Sequence, residues 1–145
     1  MPQRKPLVED LVEDVEGALG ETVVAWSRVR GGDVADAFRL ELADGRSVFA
    51  KTHRDPRPGV FDTEARDLAW LREAAPAVLA VGAAWLVLER IDERPPAADS
   101  DAALGRILAA IHRAGAVSFG RVDRRQTGSR GLPNEPVGSW AEAYG

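Results

Sequence analysis

Residues 7 to 19 repeat apolar side chains at helical spacing. Leu7, Leu11, Val15, Ala18 and Leu19 share one side, while Glu9, Asp10, Glu13 and Glu16 lie mostly elsewhere. The pattern predicts an amphipathic helix, with Pro6 tolerated in its first turn and Gly20 as its stop. From Thr22 the period drops to two. In "AFRLELADGRSVFAK", Phe38, Leu40 and Leu42 alternate with Arg39, Glu41 and Ala43; Asp44-Gly45 supplies a turn, and Val48 to Ala50 resume an extended run. Three antiparallel strands follow, at roughly 22–30, 35–43 and 47–53. "RDPRPG" is a loop by its prolines and glycine. A second helix runs from about Phe61 to Ala74 on a broad apolar face that includes Phe61, Ala65, Leu68 and Leu71, and Pro76 ends it. Val78 to Val81 and Trp85 to Ile91 read as two more strands. The class is therefore α+β, a five-stranded antiparallel sheet with one helix inserted after its third strand.

Beyond Ile91 the texture changes. "DERPPAAD" reads as a linker, and Ser100 is placed to cap a helix, "DAALGRILAAIHRAG", in which Leu104, Ile107, Leu108 and Ile111 recur at three and four residues. The expected organisation is a first unit over 1–91, a linker over 92–100 and the opening of a second unit over 101–145. From Gly120 to Gly138 no period survives, which marks either a functional loop or a poorly ordered one. Ser139 and Glu142 then have capping-box spacing, yet only one helical turn can follow before Gly145. The chain reads as part of a longer one.

Composition narrows the function more than the fold. A net charge of -4 with dispersed basic residues lacks the concentrated positive field that nucleic acid requires. No cysteine means no disulfide and no thiolate chemistry, and two histidines, His53 and His112, make a zinc site a poor expectation. The amino terminus carries acids where a signal peptide needs an apolar run, and the longest apolar stretch, Ala75 to Leu88, is too short to span a bilayer and contains Gly82. A soluble cytoplasmic chain with no membrane partner is expected.

One residue choice stands out. Of nineteen basic residues only Lys5 and Lys51 are lysines. Lys51 ends the third strand, and Glu64 lies in the first turn of the next helix, so the two can meet if that helix crosses the sheet. A lysine offers a compact point charge that fits between phosphates and a carboxylate better than arginine's planar fork. It also serves simply as a strand residue with its amine in water. "RGGDVADAF" is similarly open to two readings: Gly31 and Gly32 permit a tight turn that Asp33 could fix, or a cover over a ligand. Neither G-x-G-x-x-G nor G-x-x-x-x-G-K-[ST] is present, so neither a Rossmann fingerprint nor a P-loop applies.

Taken in order, "GGDVADAFRL", "ADGRSVFAK", "VFDTEARDLAWL", "APAVLAVG", "WLVLERI", "LGRILAAIHRAG", "FG", "GLPNE" and "SWAEAY" resemble the amino-terminal portion of the fructosamine (ketosamine) kinase family. That family belongs to the aminoglycoside-phosphotransferase-like branch of the protein-kinase fold, and the resemblance extends from about Leu7 to the last residue. It implies a kinase-like N-terminal lobe and the first helix of a C-terminal lobe. Lys51 then resembles the lysine that contacts ATP phosphates, and Glu64 its helix partner. Gly31, Gly32, Asp33 and Val34, up to Ala35, resemble the loop above the nucleotide. Leu88, Glu89 and the residues to Ile91 resemble the hinge that meets the adenine edge. Phe119 to Trp140 resembles the segment approaching the sugar-amine substrate, with Asn134 as the candidate contact; the helix ending in His112 resembles the first helix of the large lobe, and His112 itself reads as a structural residue rather than a catalytic one.

The implied cofactor is ATP with Mg2+, and the implied acceptor is a hydroxyl of a fructosamine or ribulosamine on a small molecule or a protein lysine, as in protein deglycation. A kinase for an aminoglycoside or another polyhydroxylated amine, and a non-catalytic nucleotide- or partner-binding module, are the alternatives. Two departures from the family stand out: the helix from Phe61 reaches Pro76 early, and the histidine-glycine-aspartate loop and magnesium-binding aspartate would lie beyond Gly145. With no metal ligand or catalytic residue assigned within it, this chain alone is expected to be inactive. Acceptor identity and oligomeric state are not legible in these residues.

Overall fold

The alternation in "DAFRLEL" and "SVFAKT" decides which side of a sheet is core. The computed structural model describes residues 7–30, 35–123, 126–127, 130–131 and 133–144. Pro6 and the stretch Gly31, Gly32, Asp33 and Val34 lie outside the described residues. The chain divides into two units, Met1–Asp92 and Glu93–Gly145.

In the first unit, helix α1 (Leu7–Leu19) is followed by β1 (Val23–Val29), β2 (Asp36–Leu42), β3 (Ser47–Thr52), helix α2 (Val60–Leu71), β4 (Val78–Gly82) and β5 (Trp85–Glu89). The five strands form one antiparallel sheet in the order β1-β2-β3-β5-β4, with β3 in the middle. On one face Phe38, Leu40, Leu42, Val48, Ala50 and Val87 are buried under Val8, Leu11 and Val15 of α1. These three fall at positions i, i+3 and i+7, the stripe that a helix buries against a sheet. Trp26 extends this face at the β1 edge, set edge-on to Phe38 with ring centroids 5.8 Å apart. On the opposite face Leu86 and Leu88 pack with Phe61 of α2, joined by Phe49, Val60, Ala65, Leu68 and Val78.

The β2–β3 connection forms at Asp44-Gly45 as a three-residue loop. Leu42 N–H donates to Arg46 O at 2.8 Å and Gly45 N–H to Leu42 O at 3.0 Å, with Gly45 at φ 86°. A side chain is disfavoured there, so glycine closes the hairpin and sets the register of β3.

Three expected boundaries move. The second helix ends at Leu71, not Ala74, because Arg72–Ala74 tightens into a single 3₁₀ turn and Arg72 takes φ 52°. The last strand ends at Glu89, leaving Ile91 exposed beyond it. Ser100 does not cap its helix. It is the first helical residue, and its Oγ accepts from Ala97 N–H at 2.8 Å while Asp99 occupies the cap position.

The second unit contains α3 (Ser100–Ala114), the two-residue strands β6 (Gln126–Thr127) and β7 (Arg130–Gly131), and the short helix α4 (Trp140–Tyr144). The aperiodic stretch is tied at its base: Phe119 and Val137 exchange backbone hydrogen bonds of 3.1 and 2.8 Å, and Arg121 N–H donates to Asn134 O at 2.8 Å. Gly120 makes this closure feasible. Its φ is 80°, and a Cβ there would come within 2.3 Å of Glu135 O. At α4 half of the capping box forms as expected, Ser139 Oγ accepting from Glu142 N–H at 3.3 Å. The Glu142 carboxylate reaches one residue further back, to Gly138 N–H at 3.1 Å.

Candidate functional site

Because partner residues in adjacent strands project to the same face, the register maps the surroundings of Lys51. Val29, Ala37, Lys51 and Leu86 form one row across β1, β2, β3 and β5. The next row is Ser27, Arg39, Phe49 and Leu88, and the one after it Ala25, Glu41 and Ser47. All lie on the face opposite α1. Helix α2 packs over the β4 and β5 side of this face, with Phe49 at the margin of its apolar cluster. Within the first unit, no described residue of β1 or β2 belongs to the α2 cluster.

Lys51 and Glu64 meet as expected. The Lys51 Nζ lies 2.7 Å from Glu64 Oε1 and 2.9 Å from Oε2. Glu64 is three residues after buried Phe61 and four before Leu68, on the stripe of α2 that faces the sheet. The side chains are 26% and 32% exposed, and an ion pair this open is worth only about 0–1 kcal/mol. Its structural effect is orientation: two bonds to one carboxylate hold the ammonium and leave its third proton for another acceptor.

The strand behind Lys51 is fastened at the next residue. Thr52 is buried on the α1 face, and its Oγ1 donates to Ala84 O at 2.9 Å. The same carbonyl accepts from His53 N–H at 3.1 Å. The β4–β5 turn thus grips the end of β3 just past the lysine.

Other sequence-predicted residues are distributed as follows. The glycine segment, Gly31, Gly32, Asp33 and Val34, lies outside the described residues, but Val29 and Ala37 on either side of it both stand in the Lys51 row. Leu88 is buried on the Lys51 face. Glu89 is tied to Ala77, just before β4: its N–H donates to Ala77 O at 2.9 Å and its Oε1 accepts from Ala77 N–H at 3.0 Å. In the second unit Asn134 is half-buried with its carbonyl bonded to Arg121 N–H, and His112 is exposed on the last turn of α3. Among the described residues no three His, Asp or Glu side chains are grouped as metal ligands.

Residue-by-residue sequence reading did not place Phe49, Ala37 and Arg39 beside Lys51 on one face. The parity of Phe49 with Lys51 was visible, but the other two become neighbours only through the hairpin register.

A family model described as fructosamine kinase matches residues 7–145. The chain is 36% identical over 119 residues to a protein of Thermus thermophilus described as a probable ketoamine kinase, a match covering 80% of this chain and 42% of that protein. The crystal structure of a candidate fructosamine-3-kinase from Thermobifida fusca superposes with a TM-score of 0.83 at 33% identity, over 92% of this chain and 49% of that one. The chain thus spans under half the length of each of these relatives.

Proposed function

Since this chain belongs to the fructosamine kinase family, we propose that its first unit is the nucleotide-handling part of an ATP-dependent kinase acting on a sugar hydroxyl of a ketosamine adduct. The observation that carries this reading is the Lys51–Glu64 pair, with Nζ 2.7 Å from the carboxylate, on the sheet face against which α2 packs. Phosphoryl transfer depends mostly on positioning and charge stabilisation. An ammonium fixed by a carboxylate supplies both: it holds the triphosphate in one place and offsets negative charge on its oxygens.

Phe49, one row along the strand, is assigned as an aromatic surface for the base. The segment from Gly31 to Val34 joins the two strands that end in the Lys51 row, which suits a cover over phosphates. The stretch from Phe119 to Trp140, with Asn134, is assigned to the acceptor.

We assign neither the proton acceptor nor the Mg2+ ligands to the described residues. Asp123 is held by Arg121 through bonds of 2.9 and 2.7 Å, and Glu142 by Gly138 N–H. Magnesium, when bound, would neutralise charge on the phosphates; this chain's own contribution is to bind and orient them. By itself it is expected to hold nucleotide without turning it over.

Calorimetric titration with a non-hydrolysable ATP analogue tests the reading. Lys51→Ala removes a charged hydrogen bond and should weaken binding about ten- to a hundredfold while leaving the far-ultraviolet circular dichroism unchanged. Equal affinity in the wild type and the variant would refute it.

A further inference from the structure

Phe49 stands between two different neighbours. On its β5 side is Leu88, under α2; on its β2 side, directly across the register, is Arg39, outside the α2 cluster. Arg39 is tethered there. Its Nε donates to Ser47 Oγ at 3.1 Å and contacts Glu41 Oε1, and Ser47 Oγ in turn donates to Glu41 Oε1 at 3.3 Å. The three side chains come from two strands, so the guanidinium is fixed to the sheet itself. Arg46 and Arg121 differ in this respect, since each is held by an aspartate two residues away within its own turn. Both contacts of Arg39 engage Nε.

We propose that Arg39 is a nucleobase contact, stacking its guanidinium on, or hydrogen-bonding to, a purine that rests against Phe49. This rests on the reading that Lys51 holds the phosphates. Phe49 and Arg39 lie one row further from Lys51, a step of about 7 Å along the strand, which leaves the ribose between the phosphate and the base. A planar cation beside an aromatic ring attracts a π-face from the same side and offers donors to ring nitrogens. Glu41 and Ser47 act as positioning residues for the guanidinium. The consequence is that this site gains affinity from the base as well as from the triphosphate.

The test compares two ligands, a non-hydrolysable ATP analogue and inorganic tripolyphosphate, by calorimetry on the whole chain. Arg39→Met keeps the aliphatic stem and removes the cation. It should weaken the analogue about five- to twentyfold and leave tripolyphosphate within about twofold. Arg39→Lys should recover little, because it restores the charge without the plane. Ser47→Ala, which loosens the tether and keeps the arginine, should weaken only the analogue, by about two- to fivefold, and supplies the result if Arg39→Met fails to fold.

An unchanged analogue affinity in the folded Arg39→Met protein overturns the proposal. So does an equal loss for both ligands, which would make Arg39 a phosphate contact or a general field effect. Lys51→Ala separates the two readings: it should weaken both ligands. If it weakens neither, the phosphate reading falls and takes this one with it, whereas a loss for both with an inert Arg39 removes the base contact alone.

Discussion

At the scale of single residues, backbone conformation and local hydrogen bonds decide more than charge does. Arg72 carries a φ of 52° with ψ -125°, in a region that side chains occupy at a cost. Arg72→Gly should therefore raise stability by about 1 kcal/mol, read as a higher urea midpoint with an unchanged slope. A lower midpoint would mean that the arginine side chain outweighs its backbone. Asp44 is held below the ordinary carboxylate range, first by the Arg46 backbone N–H and then by the Arg46 guanidinium. A depressed value means that the folded state favours the charged form. Its contribution is present above the ordinary carboxylate range and fades as pH falls through the folded value. The stability gap between the wild type and Asp44→Ala should accordingly be widest near neutrality and narrow in acid; a gap constant across that range would show that the turn does not depend on the charge.

At the scale of elements, burial separates two helices that look alike in sequence. Leu11 on α1 is 2% exposed, whereas Leu104 on α3 is 56% exposed. Leu11→Ala should cost about 2–5 kcal/mol and Leu104→Ala less than about 1, both measured by urea unfolding. The apolar spacing at three and four residues was equally clear in both helices. Periodicity reports that a face is apolar and does not report what lies against it. The same limit explains what was legible elsewhere. Helix α1 and the alternating strands could be read because their signals are local, and Lys51 with Glu64 because a lone lysine and a nearby acid can be seen in one dimension. The early end of α2 depended on a positive φ at an arginine, for which the sequence carries no marker. Arg39 escaped notice because its relation to Phe49 is created by pairing β2 with β3.

At the scale of the whole molecule, all the buried apolar residues described lie between Val8 and Leu88, within the first unit. Among the described residues of 93–144 none is buried. Residues 1–92 expressed alone should therefore unfold cooperatively within about 5 °C of the whole chain's midpoint, while 93–145 alone should show little ordered structure by circular dichroism. A first unit that fails to fold would show that its two apolar clusters are insufficient by themselves. The placement of β3, third of five strands and flanked on both sides, has a last consequence. Lys51 is mounted on the ribbon farthest from either rim, so insertions or substitutions along β1 or β4 can reshape the borders of the sheet while the ammonium stays where it is. Rims free to diverge around a fixed charge would let related chains accept different neighbours without rebuilding the anchor.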